Sequence, residues 1–177
     1  MIDVYLVRHA IAEQRDFLRW PDDAERPLSP AGTARFRAAA QGLRVLVPEL
    51  DVVLTSPYAR SVQTAELLAE ETGWPAAQPA PQLAGNRTAA DALDLLRSLN
   101  AVRSVALVGH EPCLSSLTSL LAAGDEGPLR TEVKKGGVVF LACPGAPAPG
   151  TGVLRWSVSP KILRRLDPVR EREASQA

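Results

Sequence analysis

The sequence is poor in the residues that most often announce a chemistry. Its 177 residues include two cysteines, two histidines, one methionine and few aromatics. The cysteines, Cys113 and Cys143, belong to no CxxC pair or Cys/His cluster. That pattern reads as reduced thiols in a cytoplasmic protein, with no metal centre and no redox pair. Neither cysteine has an arginine six positions on, so the C-x5-R loop of cysteine-dependent phosphatases is missing. Also missing are the G-x-x-x-x-G-K-[ST] phosphate loop and the G-x-S-x-G nucleophile elbow. No apolar stretch approaches the ~18–20 residues of a membrane span. Asp3 and Arg8 interrupt the first apolar run, so no signal peptide is expected. Basic and acidic residues number 20 each, for a formal net charge of zero. A balanced chain argues against nucleic acid or an anionic membrane as the main partner, yet leaves room for a local cationic pocket. The shortage of aromatics predicts a core of aliphatic side chains and alanine.

What is present suits one domain with one core. Val4-Tyr5-Leu6-Val7 is an apolar run that reads as a strand buried on both faces, and Arg8-His9 follow at its end. Residues 10 to 29 are polar and irregular, a length of loop that is uncommon without a function. Ser29-Pro30 is a cap followed by Pro at the first helical position, and Phe36, Ala40, Leu43 and Leu46 carry the helical period. Asp51 to Thr55 reads as a second strand, giving a βαβ unit and a parallel pair. Ser56-Pro57 repeats the cap signal before a helix with Tyr58, Val62, Ala65 and Leu68 on one face, and Arg60 in its first turn. The Pro/Ala/Gln-rich residues 75 to 88 leave space for a brief strand at most. A helix marked by Ala89, Ala92, Leu93 and Leu96 follows. Ser104 to Val108 is a third strand, ending in Gly109-His110-Glu111-Pro112 before a helix with Leu114, Leu117 and Leu121. Val138–Ala142 and Val153–Val158 read as further strands, the second alternating as a half-exposed antiparallel edge strand does. A short helix from Pro160 and a charged tail, 167 to 177, complete the chain. The expected architecture is α/β: three layers, a mostly parallel sheet, helices on both faces and an antiparallel edge strand.

Both histidines follow an apolar strand at its carboxyl end, where chemistry collects in parallel α/β sheets. If those strands are neighbours, their spacing of ~4.8 Å brings the imidazoles to one small group. Arg8 arrives at the same end, and Arg60 from a helix start. Two guanidinium forks, two imidazoles and helix N-termini are more than a neutral or carboxylate substrate needs, and they match a phosphoryl group. A neutral histidine nitrogen is a competent nucleophile when a hydrogen bond fixes its tautomer. No metal or other cofactor is required by this chemistry.

Three stretches carry a family resemblance: Leu6-Val7-Arg8-His9-Ala10, Ser56-Pro57-Tyr58-Ala59-Arg60 with Gln63-Thr64-Ala65, and Val108-Gly109-His110-Glu111-Pro112. In this order and spacing they resemble the signatures of the histidine phosphatase (phosphoglycerate-mutase-like) superfamily. Arg26-Pro27-Leu28-Ser29-Pro30-Ala31-Gly32 and Lys134-Lys135-Gly136-Gly137 are similar to stretches of its small SixA-type phosphohistidine phosphatases. The resemblance runs from Ile2 to about Val158 and implies a histidine phosphatase domain over 1–166. It implies that His9 is phosphorylated during turnover, and that Arg8, Arg60 and His110 are catalytic and bind the transferring group.

Many larger family members carry a helical cap with a proton-donating glutamate between the second and third signatures. Here that region is short, and Thr72 to Ala90 contains no Asp or Glu. An alcohol leaving group gains ~10²–10⁴-fold from an acid, whereas an imidazole leaving group has a basic nitrogen of its own. An uncapped site also admits a side chain presented by another protein. The expected partner is therefore a phosphohistidine-bearing protein, such as a phosphocarrier or phosphotransfer domain. The alternatives are a small phosphomonoester substrate and a non-catalytic phosphate-binding module. Glu13 and Glu111 are candidate proton donors against the plainer reading of solvated glutamates. Asp22 and Asp23 read as turn residues, against the alternative that they order the long loop or shape substrate access; Ser29 and Ser56 read as caps, Cys113 as packing, and Lys134 with Lys135 as either a solvated hairpin or a steering pair. The absence of an obvious apolar face makes a monomer the expected state.

Overall fold

The computed structural model describes residues 1–166; the charged tail expected beyond them lies outside the described residues. Its centre is β1 (Ile2–Arg8), whose apolar run pairs on both sides. On one side it runs parallel to β4 (Ser104–Gly109), with Arg8 opposite Gly109. On the other it runs antiparallel to β5 (Val138–Cys143), with Val7 opposite Val138. β2 (Val52–Thr55) extends the parallel side beyond β4, and β3 (Gln78–Pro79) is the brief strand at that edge. β6 (Val153–Val158) closes the other edge, antiparallel to β5, with the alternating exposure that its sequence predicts. The order is β3-β2-β4-β1-β5-β6, so the late pair β5 and β6 both run antiparallel to their neighbours.

Alternation along β1 divides the core. Ile2, Val4 and Leu6 face α3 (Ala89–Ser98) and α4 (Cys113–Ala123), while Tyr5 and Val7 face α1 (Pro30–Leu46), α2 (Ala59–Thr72) and α5 (Pro160–Leu163). These are the three expected layers, with helices on both faces. The core is aliphatic; Tyr5, stacked on Phe140 with centroids 4.6 Å apart, belongs to an aromatic cluster, with Trp74 and Trp156 beside it.

Two helical faces are rotated from the sequence expectation. In α1, Leu46 is exposed, and Ala39 and Gly42 are buried beside Phe36, Ala40 and Leu43. Small residues sit inward because α1 approaches other backbone closely: a Cβ on Gly42 would lie 1.8 Å from the Leu163 carbonyl oxygen, and one on Gly32 would lie 2.0 Å from that of Ile11. In α2, Tyr58 precedes the helix and, like Val62, is half-buried, whereas Arg60, Ser61 and Thr64 point inward with Ala65 and Leu68. Polar residues occupy that face because it looks onto the carboxyl ends of β1 and β4.

Candidate active site

The parallel pairing of β1 with β4 sets the site. His9 and His110 each follow the last paired residue of their strands, and their ring centroids stand 5.0 Å apart. The His9 backbone N–H donates to the Gly109 carbonyl at 3.0 Å, locking the two strand ends together. Both imidazoles are buried. Arg8 and Arg60 line the same cleft of about 350 Å³, as do Tyr58, Asp23 and Glu111. All four residues singled out from the sequence therefore meet at one point.

His9 Nδ1–H donates to the Ala10 carbonyl at 2.7 Å. That bond fixes the tautomer and leaves Nε2 with a free electron pair. Burial pushes the His9 pKa down to about 3, against the Ala10 hydrogen bond, with the charges of Arg60, Arg8 and Lys135 adding to the depression. Burial also lowers His110 to about 3, reinforced by His9, Arg60 and Arg8 and opposed by Asp23. Both rings are neutral at physiological pH.

The loop after His9 is tied down from two directions. The Ala10 N–H donates to Thr64 Oγ1 at 3.0 Å, and Thr64 Oγ1–H donates to the Arg60 carbonyl at 2.6 Å. One α2 side chain thus joins the His9 loop to the turn that carries Arg60. Ser29 is the α1 cap expected from sequence, its Oγ accepting from the Gly32 N–H at 3.0 Å.

Ser56 departs from the cap reading. It lies two residues before the N-cap, and its Oγ is 2.8 Å from His110 Nε2, with Ser61 Oγ 3.3 Å from the same atom. Burial of Ser56 and Ser61 is complete. His110 Nδ1 carries no hydrogen bond among the described residues. The Tyr58 ring, expected in the core, instead stands 4.9 Å from the His110 ring and 4.9 Å from the Arg60 guanidinium.

The 10–29 loop reaches into the site through Arg15 and through the 3₁₀ turn Asp23–Glu25. Asp22 is the turn residue that the sequence predicts, accepting from the Ala24 N–H. Asp23 is more than that. Its carbonyl and carboxylate both accept from Arg60, and Arg26 donates to its other oxygen at 2.8 Å. Burial raises the Asp23 pKa, but the Arg26 hydrogen bond and the charges of Arg60, Arg26 and Arg15 outweigh it and hold the carboxyl below its ordinary value. Arg8 is braced by donation to the Val133 carbonyl at 2.8 Å. The Nε–H groups of Arg8 and Arg60 are buried without a hydrogen-bond partner among the described residues.

The two glutamates fare differently from the sequence expectation. Glu111 lines the cleft, yet Oε1 accepts from the Val133 N–H and Oε2 from the N–H and hydroxyl of Ser115, so it braces two loops. Glu13 lines a neighbouring surface depression formed by 13–19, away from the histidines. Cys113 packs beneath the site, its thiol pushed up to about 11 by burial. Among the described residues no three His, Cys, Asp or Glu side chains converge as a metal-ligand group. No helix among them is long and apolar enough to cross a membrane.

Of the residues that shape the site, Ser61 has no reading from sequence, Ser56, Tyr58 and Thr64 enter the functional reading only as members of the second signature, and Asp23 reads chiefly as a turn residue. Beyond that signature, proximity to Arg60 or to the long loop is the signal that could have found their roles.

Comparison with known proteins agrees with this geometry. The family model of the histidine phosphatase superfamily (branch 1) matches residues 4–84. An uncharacterized protein of Picosynechococcus is 33% identical over 142 residues, covering 79% of this chain and 84% of the relative. Phosphohistidine phosphatase SixA of Escherichia coli is 27% identical over 166 residues, covering 92% of this chain and 97% of the relative. Among solved structures, the protein histidine phosphatase SixA complexed with tungstate superposes with a TM-score of 0.77 at 26% identity, over 92% of this chain and 99% of that one. The paired strand-end histidines, the signatures around them and these relatives together place the chain in the histidine phosphatase superfamily.

Proposed function

We propose that this hydrolase of the histidine phosphatase superfamily removes the phosphoryl group from phosphohistidine on a protein, through a phosphorylated His9. The observation that carries the reading is the neutral His9 ring, fixed as its Nδ1–H tautomer, facing His110 at 5.0 Å between two arginines.

In the first step the Nε2 electron pair of His9 attacks phosphorus in line with the scissile P–N bond. The leaving imidazole departs with the bonding pair and takes a proton from solvent at its own nitrogen. Arg8 and Arg60 stabilise the charge spread over the equatorial oxygens. Ser56 Oγ–H donates to His110 Nε2, which leaves Nδ1–H to donate to one of those oxygens. In the second step water attacks phospho-His9, the new P–N bond breaks, and inorganic phosphate leaves with His9 again neutral.

Support for a phosphohistidine donor comes from the leaving-group side. Glu111 is committed to Val133 and Ser115, and Glu13 lies in another depression. The segment 73–88 holds only β3 and one 3₁₀ turn, Pro81–Leu83, in place of a cap. A leaving group that accepts its own proton suits such a site better than an alcohol.

The test is phosphoenzyme trapping. The His110→Ala variant, mixed with a protein phosphorylated on histidine and quenched rapidly, accumulates an acid-labile, alkali-stable phosphate on His9. The His9→Ala variant accumulates none. A wild type that turns over sugar phosphates in marked preference to phosphohistidine overturns the substrate assignment. Absence of both turnover and phosphoenzyme overturns the enzyme reading itself.

A further inference from the structure

A second cleft, of about 260 Å³, opens beside the histidine cleft between α1, the Lys134–Gly136 turn and α5. Phe36 and Pro160 line its base, and Arg35, Lys134, Lys135, Lys161 and Arg164 line its walls, with no Asp or Glu among its lining residues. The chain as a whole is neutral, so these five cations are charge gathered onto one face and not part of a general excess. Lys134 pairs with Glu132 at 2.6 Å; among the described residues Arg35, Lys135, Lys161 and Arg164 make no ion pair.

This cleft is mechanically continuous with the active-site loop. Ala10 and Ile11, which follow His9 directly, form one of its walls. The Gly136 N–H donates to the Arg8 and His9 carbonyls at 3.0 and 3.2 Å. The Ser29 N–H donates to the Ile11 carbonyl at 3.0 Å, fixing the start of α1 to the same loop. A molecule seated over the cations is thereby held in register with the His9 ring.

The chemistry of the lining selects the occupant. A site for a small anion buries its charged donors around the ion, whereas Arg35, Lys134, Lys135 and Lys161 stand exposed on long stems around an open depression. Spread cations of this kind complement carboxylates distributed over another protein's surface, and they act mainly on encounter and orientation.

We propose that this cationic cleft docks an acidic surface of the protein that presents the phosphohistidine. The inference rests on the phosphohistidine-protein reading above and adds to it the face by which the substrate is held. Docking lowers KM for the protein substrate and makes its turnover sensitive to salt, while leaving the chemical step to His9 and its neighbours.

The triple variant Arg35→Glu/Lys161→Glu/Arg164→Glu tests this against two substrates: an acidic protein domain phosphorylated on histidine, and the free amino acid phosphohistidine. The expected result is a loss of about tenfold or more in kcat/KM for the protein, carried by KM, with a flattened salt dependence. Turnover of free phosphohistidine stays within about twofold of wild type, which also reports that the variant is folded. The milder Arg35→Gln/Arg164→Gln variant gives an intermediate loss on the protein. Unchanged kcat/KM on the protein, with wild type active on both substrates, overturns the docking inference alone. Equal losses on both substrates overturn it too, by placing these cations in phosphoryl binding. A wild type inactive on both phosphohistidine substrates removes the functional reading, and the docking face with it.

Discussion

Asp23 holds Arg60 through two contacts, its carbonyl accepting from Nη1 at 2.6 Å and its carboxylate from Nη2 at 3.0 Å. The residue from the long loop thus occupies both terminal nitrogens of a guanidinium proposed to grip phosphoryl oxygens. A carboxylate there competes with, and repels, an incoming dianion. Asp23→Asn keeps the carbonyl contact and removes the charge. Competitive inhibition by inorganic phosphate is expected to strengthen by about fivefold, the scale of one charge interaction at a partly screened distance. Steady-state inhibition measurements check it, and weaker phosphate binding in the variant would show that Asp23 chiefly positions Arg60.

Removal of the proposed nucleophile gives the largest effect. His9→Ala is expected to lower turnover by at least about 10³-fold, as loss of a covalent nucleophile does in enzymes that use one. The fold persists, because the lost hydrogen bond to Ala10 is worth only about 1 kcal/mol. Phosphate release and thermal melting, measured on the same preparation, separate the two.

Ser56 acts through His110 and contributes a graded effect. Ser56→Ala removes the 2.8 Å contact and leaves Ser61 at 3.3 Å as a substitute. A loss of about 1 kcal/mol in the transition state corresponds to roughly fivefold in kcat. Ser56→Ala/Ser61→Ala is expected to lose more than either single change, and Ser56→Thr to recover part of the rate. Equal kcat in wild type and double variant would make the serines packing residues only.

Acid is expected to weaken the fold through the same two histidines. Both are depressed to about 3 in the folded protein, against about 6.5 when unfolded. Between these values the unfolded chain binds protons that the folded one refuses, so stability is fully present above pH 6.5 and falls as pH drops towards 3. Denaturant midpoints should therefore be lower at pH 5 than at pH 7. His9→Asn and His110→Asn should each reduce that difference, and a slope unchanged by both would rule out the histidines as its source.

Two glycines on α1 distinguish site geometry from stability. Gly42→Ala drives a methyl into the Leu163 carbonyl, far from the histidines, and is expected to cost about 1–3 kcal/mol with little change in kcat. Gly32→Ala meets the Ile11 carbonyl, two residues from His9, and is expected to lose both stability and activity. Melting curves beside activity per folded molecule give the comparison.

The pattern of what the sequence revealed follows from where information is stored. Arg8, His9, Arg60 and His110 were legible because each sits next to an element end that apolar runs and proline mark. Ser29 and Ser56 carry the same local signal, Ser-Pro, yet only Ser29 caps its helix. After Ser56 the chain takes a further turn before α2 begins at Ala59, and the hydroxyl is claimed by a histidine 54 positions away. Asp23, Thr64 and Glu111 likewise take their roles from partners distant in sequence. The inward face of α2 differs from the sequence expectation for a related reason: a polar side chain is a poor core signal until the site it faces is known.

The Gly136 N–H that reaches the Arg8 and His9 carbonyls has a temporal implication. All four proposed catalytic residues have been synthesised once residue 110 is made, but the strand that flanks β1 on its other side is still to come. A chain stopped before β5 possesses every reacting side chain and lacks the frame that aims them. The frame around Arg8 and His9 is therefore completed from the far end of the chain, only when the last strands join the sheet.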